Sequence, residues 1–272
     1  MNCKLVLNNI RYEFKEYVVN AKLKSVVLGV SGGIDSAIVA AIVKPICDEI
    51  KIELIGVSLP SDSNKDCEVE RADGILFEFC SETLTYNIDS PVKSFKKALH
   101  FTEPKTKEEK IAMGNIKARC RMIILYDIAY TNSGMVLGTD NLTEYNLGFF
   151  TIFGDQADFS SIQYLWKTEV YELAQYIADT ELKDNYEARK ALISCINATP
   201  TDGLGVTNSD LDQIGVKTYA EVDMIFKEYF EMEGGKEKHG DNPVIQRHIK
   251  TAYKRKHPYC ISRETLFKEN SI

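Results

Sequence analysis

The chain has 272 residues, of which 44% are apolar and 27% charged, with a net charge of −7, a globular composition sized for one large α/β domain or a domain with a small appendage. The acidic balance argues against broad nucleic-acid binding, which depends on neutralising phosphates, and no apolar run approaches a membrane span. Seven cysteines stand far apart without a Cys-x-x-Cys pair, and Arg11 and Glu13 follow the amino terminus where a secretory signal would be apolar, so reduced thiols and a cytoplasmic location are expected.

Leu5, Ile10, Phe14, Tyr17 and Val18 recur at helical spacing, which predicts an opening amphipathic helix. The β-branched run 26–30 predicts a buried strand, broken at Ser31-Gly32-Gly33 before a helix over 36–49. A second strand follows over 52–59, a helix over 64–80 and a third strand over 83–88. Two helical stretches come next, the second running from about 108 to 131, and then a fourth strand over 135–138. Beyond residue 160 the pattern turns helical, with segments over 167–178, 219–230 and 243–253. Strands alternating with helices imply parallel pairing through right-handed crossovers. In such sheets ligands sit beyond the carboxyl ends of the strands. If the first and fourth strands are neighbours, the loops at 31–33 and 139–141 face one crevice.

The loop from Gly29 to Ser36 (Gly29, Val30, Ser31, Gly32, Gly33, Ile34, Asp35, Ser36) carries the densest chemistry. Adjacent glycines bring the backbone close to a ligand, and a helix N-terminus favours an anion. Ser31 and Ser36 add hydroxyls, and Asp35 a carboxylate able to hold a cation beside phosphates. The plainer alternative is a strand–turn–helix corner capped by Asp35 or Ser36. Its spacing is neither Walker A nor Gly-x-Gly-x-x-Gly. Ser31-Gly32-Gly33-Ile34-Asp35-Ser36 resembles the SGGxDS loop of the ATP pyrophosphatases.

Three further stretches stand out. Gly138-Thr139-Asp140-Asn141-Leu142-Thr143-Glu144 packs a hydroxyl and carboxylates just past a strand end, or is a polar loop with Asp140 or Thr143 capping a helix. The apolar run 149–153, followed by Asp155 and Asp158, is either packed core or a lid over a ligand. Within the long helix Lys117 and Arg121 share one face while Arg119 points elsewhere, as surface charge or as contacts to a phosphate or carboxylate. The basic tail, Lys254 to His257, poses the same choice between solvated face and substrate contact.

In order, Gly-x-Ser-Gly-Gly-x-Asp-Ser, Asn-x-Lys-Ala-Arg-x-Arg-Met, Gly-Thr-Asp-x-x-x-Glu, Gly-Phe-Phe-Thr-x-x-Gly-Asp and Lys-Thr-x-Val-x-x-Leu-Ala resemble ammonia-dependent NAD synthetase, and the likeness extends through Pro200–Leu204 into the basic tail. The resemblance implies a doubly wound parallel sheet with flanking helices, like that of adenine nucleotide α-hydrolases, and a helical C-terminal part. It also implies one domain over 1–272 without a glutaminase domain, MgATP, deamido-NAD and ammonia as substrates, and a homodimer. By position, Gly29 to Ser36, Thr139, Lys167 and Thr201 would bind ATP, and Asp35 and Glu144 would hold magnesium. Arg119, Asp158, Tyr253 and Lys254 would contact deamido-NAD. Asp155 would bind ammonium or take its proton, and Lys167 would offset charge on the departing pyrophosphate.

Two positions depart from the family pattern. Ile152 stands where a lysine commonly contacts deamido-NAD, and Tyr253 stands where a histidine commonly precedes Lys254. Both lie on the acceptor side and leave the ATP residues whole. The alternatives are a related SGGxDS amidating ligase acting on another small carboxylate, or a nucleotide sensor without turnover.

Overall fold

The computed structural model describes residues 1–101, 103–199, 211, 215–256 and 258–268. The first half builds a sheet: α1 (Cys3–Asn20), β1 (Ser25–Gly29), α2 (Ile34–Ile50), β2 (Glu53–Ser58), α3 (Asp66–Phe79), β3 (Glu82–Thr85), α4 (Asp89–Ala98), α5 (Lys107–Thr131) and β4 (Gly134–Gly138). After α6 (Leu142–Leu147) a two-residue strand, β5 (Phe159–Ser160), completes it. The sheet is wholly parallel, in the order β3-β2-β1-β4-β5.

The alternation of strand side chains sorts the core into two layers. Val26 and Leu28 of β1, Leu54 of β2 and Met135 and Leu137 of β4 point to the face covered by α1, α2, α3, α7 (Lys167–Thr180) and α8 (Tyr186–Ile196). Val27, Ile55, Val57 and Val136 point to the opposite face, under α4 and α5. Because both faces are covered, β1 reads as an unbroken apolar run rather than as an alternating one. Truncating fully buried Leu28 to alanine costs about 2–5 kcal/mol.

The C-terminal helices α9 (Tyr219–Glu231), α10 (Gly235–His239), α11 (Pro243–Lys250), α12 (Ala252–Arg255) and α13 (Arg263–Phe267) follow. Phe226, Val222, Val244 and Ile245 pack with Leu147 and Trp166 in a third cluster. This layer therefore grips α6 and the start of α7. No described helix is long and apolar enough to cross a membrane.

The predicted elements are present, with differences at the third strand and in the C-terminal half, and with α6 and β5 added. The third strand stops at Thr85, because Ile88 turns inward as the buried cap of α4. The tail helix divides at Thr251, whose hydroxyl donates to the carbonyls of Arg247 and His248. Helix α8, with Leu192 and Cys195 buried, lies in the stretch expected to be helical but outside the segments singled out there.

Candidate active site

The sheet order reverses between β1 and β4, which pair directly from Ser25 with Gly134 to Leu28 with Leu137. The loops leaving these strands therefore open on one side of the sheet, at the switch point where such folds place ligands. A cleft of about 450 Å³ lies there, lined by the Gly29–Asp35 loop, Thr139, Asp140, Glu144 and Lys167 among others.

The loop is shaped by its own hydroxyls. Gly33, not Asp35 or Ser36, occupies the N-cap of α2 in extended conformation and leaves the first amides of the helix without a side-chain cap. Buried Ser36 instead closes the loop, accepting from the Ser31 amide at 3.2 Å and donating to the Gly33 carbonyl at 3.2 Å. Gly32 has φ +77°, and a Cβ there would stand 2.2 Å from the Glu68 carbonyl oxygen and 3.1 Å from the Ala72 amide. The backbone of α3 is thus packed directly on the loop, and only glycine fits.

Asp35, in the first turn of α2, pairs with the Lys167 ammonium, which also donates to Glu144 Oε1 at 3.0 Å. The Asn141 side-chain amide donates to the other Asp35 oxygen at 2.9 Å. Lys167 is only 3% exposed. Burial opposes its charge, but Asp35 and Glu144 outweigh that and raise its pKa well above 10.5. The lysine is aimed from outside the sheet. Buried Asp223 of α9 accepts from the Thr143 hydroxyl and the Thr168 amide, and Thr143 accepts from the Lys167 amide at 2.8 Å. The C-terminal layer so fixes the start of α7 from which Lys167 reaches the cleft.

A second acidic pair, Asp140 and Asp155, lines the same cleft. Asp155 accepts from the Thr151 amide at 2.5 Å. Burial raises its pKa, and the Thr151 hydrogen bonds, Arg121 and Lys254 partly offset the rise. Asp140 is pushed well above its ordinary value by burial first, then by Asp155, Glu144 and Asp35. Lys254 donates to the carbonyls of Gly148 at 2.8 Å and Phe150 at 2.5 Å and lies over the Phe150 ring, pinning the loop that carries Asp155. The run 149–153 divides between the two expectations: Phe150 is buried and stacked on Tyr145, Phe149 lines the cleft, and Phe153 is exposed.

Other expected residues lie elsewhere in the single chain. Arg119 is exposed on α5 and donates to the Ile152 carbonyl at 3.2 Å. Asp158 ties α5 to β4, accepting from the Tyr126 hydroxyl at 3.0 Å and the Val136 amide at 2.9 Å. Burial and the bond to Asp158 push the Tyr126 phenol up to about 12. Tyr253 is exposed, and none of these three lines the cleft. Thr201 and His257 lie outside the described residues. Lys117 and Arg121 do share a face: Lys117 donates to Ser61 and Ser63, and Arg121 to the Leu59 carbonyl at 3.0 Å. Sequence reasoning missed Asn141 and Asp223. Asn141, rather than Asp140 or Thr143, caps α6, as its short amide side chain favours. Asp223 carries no local signal.

Residues 6–258 match the family model described as NAD synthase. The NH(3)-dependent NAD(+) synthetase of Thermoplasma acidophilum is 33% identical over 241 residues, 88% of this chain and 91% of the relative. The structure of an NMN synthetase from Francisella tularensis is similar, with TM-score 0.76 and 26% identity, covering 94% of this chain and 96% of that one. The NH3-dependent NAD synthetase from Campylobacter jejuni gives TM-score 0.73 at 27% identity, over 96% and 100%. With the Gly29–Ser36 loop and the Asp35–Lys167–Glu144 cluster meeting at the switch point of a parallel sheet, the chain belongs to the NAD synthase family.

Proposed function

We propose that the protein amidates deamido-NAD to NAD with ATP and ammonia, through an adenylated intermediate. The observation that carries this reading is Lys167, buried between Asp35 and Glu144 beneath the phosphate loop. A nicotinate carboxylate oxygen bonds to the α-phosphorus of ATP, the bond from that phosphorus to the bridging oxygen breaks, and pyrophosphate departs. Ammonia then bonds to the carbonyl carbon, AMP leaves, and the nitrogen gives up a proton. The free amides at the start of α2 bind phosphate, and the Lys167 ammonium neutralises charge that gathers on pyrophosphate. Asp155 holds ammonium and accepts its proton, for which a buried, raised carboxyl is suited.

Asp35 and Glu144 are the residues that would hold magnesium. No group of three or more His, Cys, Asp or Glu side chains among the described residues is placed to bind a metal. Two carboxylates completed by substrate phosphates are a donor set that fits this hard cation. Magnesium supplies charge neutralisation of the triphosphate.

Arg119 and Tyr253 fit a site completed by a second copy of the chain. Ile123 and Tyr130 on the exposed side of α5, and Phe153 near Arg119, offer an apolar face for it. We therefore read the enzyme as a homodimer, which light scattering tests. We place it in the cytoplasm, where its free cysteines stay reduced. Use of free ammonia accords with relatives named NH(3)-dependent.

Two observations favour a second reading. Ile152 removes a cation from the acceptor side, and one similar structure is an NMN synthetase, so the acceptor would be the smaller nicotinate mononucleotide. Purified protein with MgATP and ammonium, offered each acceptor separately, decides between them. The first reading expects NAD, AMP and pyrophosphate in equal amounts from deamido-NAD. Amide formed only from the mononucleotide would replace it with the second.

A further inference from the structure

We propose that Arg71 binds the pyrophosphate end of the nucleotide, a role that rests on the ATP-dependent reading above. Arg71 lies on α3, lines the cleft beside Ser31, Gly32 and Gly33, and donates through Nε to the Gly32 carbonyl at 2.9 Å. The same helix presses its backbone onto Gly32 so closely that no Cβ fits. The guanidinium is therefore held at a set distance from the phosphate loop.

Of its five N–H donors the protein uses one: among the described residues Arg71 makes no other hydrogen bond and no ion pair. Glu68, one turn earlier, accepts from the Lys65 amide at 3.2 Å and the Asn64 side chain at 3.1 Å. The other cations of the cleft are placed differently. Lys167 is matched by two carboxylates, Lys254 serves the carbonyls of Gly148 and Phe150, Arg121 is bonded to Leu59 just past β2, and Arg247 donates to the Leu147 carbonyl at 2.9 Å and lies over the Phe149 ring. Among the described residues, Arg71 is thus the cation bonded to the loop itself that forms no ion pair with a carboxylate. A guanidinium with spare donors in a fixed plane suits the paired oxygens of a phosphate.

The competing role is a staple that only joins α3 to the loop. Arg71→Gln separates the two, because the glutamine amide still donates to the Gly32 carbonyl but carries no charge. Pyrophosphate and AMP are titrated calorimetrically against wild type, Arg71→Gln and Arg71→Lys. Arg71→Gln is expected to weaken pyrophosphate binding about tenfold or more while AMP binding stays unchanged, with Arg71→Lys between. Pyrophosphate binding in Arg71→Gln equal to wild type, or an equal loss for both ligands, would overturn the assignment. Wild type binding neither ligand would overturn the nucleotide reading and this role with it.

Discussion

Replacing Lys167 with methionine keeps the length of the side chain and removes its charge. In the folded protein Lys167 is 3% exposed and its ammonium serves Asp35 and Glu144, whose side chains are each 17% exposed. Removing one partner of a buried ion pair costs about 3–5 kcal/mol, because the charge left behind is neither solvated nor paired. The lower end applies here, since Asn141 still donates to Asp35. In a chain of this size about 3 kcal/mol lowers the melting temperature by about 6–12 °C. The pairing raises the Lys167 pKa above 10.5, so its contribution is complete below that pH and fades only as pH climbs through the raised value. The deficit is therefore constant across pH 7–9. Calorimetry of wild type, Lys167→Met and the double variant with Asp35→Asn measures it. The double variant should melt above Lys167→Met alone, because neutralising Asp35 removes an unpaired charge. Magnesium should also recover part of the loss, by replacing the missing positive charge. A Lys167→Met protein that melts with wild type, or a double variant less stable than the single one, would refute the electrostatic account.

Gly32→Ala forces a Cβ to 2.2 Å from the Glu68 carbonyl at φ +77°, so the loop or α3 must shift. It is expected to lower stability by about 1–3 kcal/mol in denaturant melts and to abolish ATP binding in titration calorimetry. Asp155→Asn should leave ATP affinity unchanged, raise KM for ammonium and lower kcat. It should also remove an acid limb lying above the ordinary carboxylate range in wild type, since burial raises that carboxyl. Burial, then Arg255, lowers the His248 pKa from 6.5. Folding therefore favours the neutral ring, and stability should be full above about pH 6.5 and decline as pH falls towards the lowered value. Melts of wild type and His248→Gln across pH 5–8 check this, and the decline should be smaller in the variant.

The central strands, the glycine loop between β1 and α2 and the long helix were legible because each rests on local pattern: an unbroken apolar run, paired glycines, and a long helical stretch. Pairing of β1 with β4 was not, since residues 26 and 135 become neighbours only through the crossovers. The two-residue β5 is too short to show a period, and it holds its place through pairing with Leu137 and Gly138. Helix α8 hides because small residues such as Ala188 and Ala191 leave its buried side weakly marked. Asp35, Glu144 and Lys167 were visible as motif residues, but their meeting in one buried cluster was not. That cluster depends on Asp223, whose bond to Thr143 spans 80 positions. Arg119 and Asp158 belong to readable motifs, yet their side chains serve Ile152 and the α5–β4 junction within one chain.

Isotope transfer tests the central claim most directly. Deamido-NAD carrying 18O in both nicotinate carboxylate oxygens is incubated with the protein, MgATP and ammonium, and product AMP and NAD are weighed by mass spectrometry. Adenylation followed by amide formation predicts one 18O in AMP and one retained in NAD. Unlabelled AMP accompanying NAD would contradict a carboxyl–adenylate intermediate. AMP formed without NAD would contradict deamido-NAD as the acceptor.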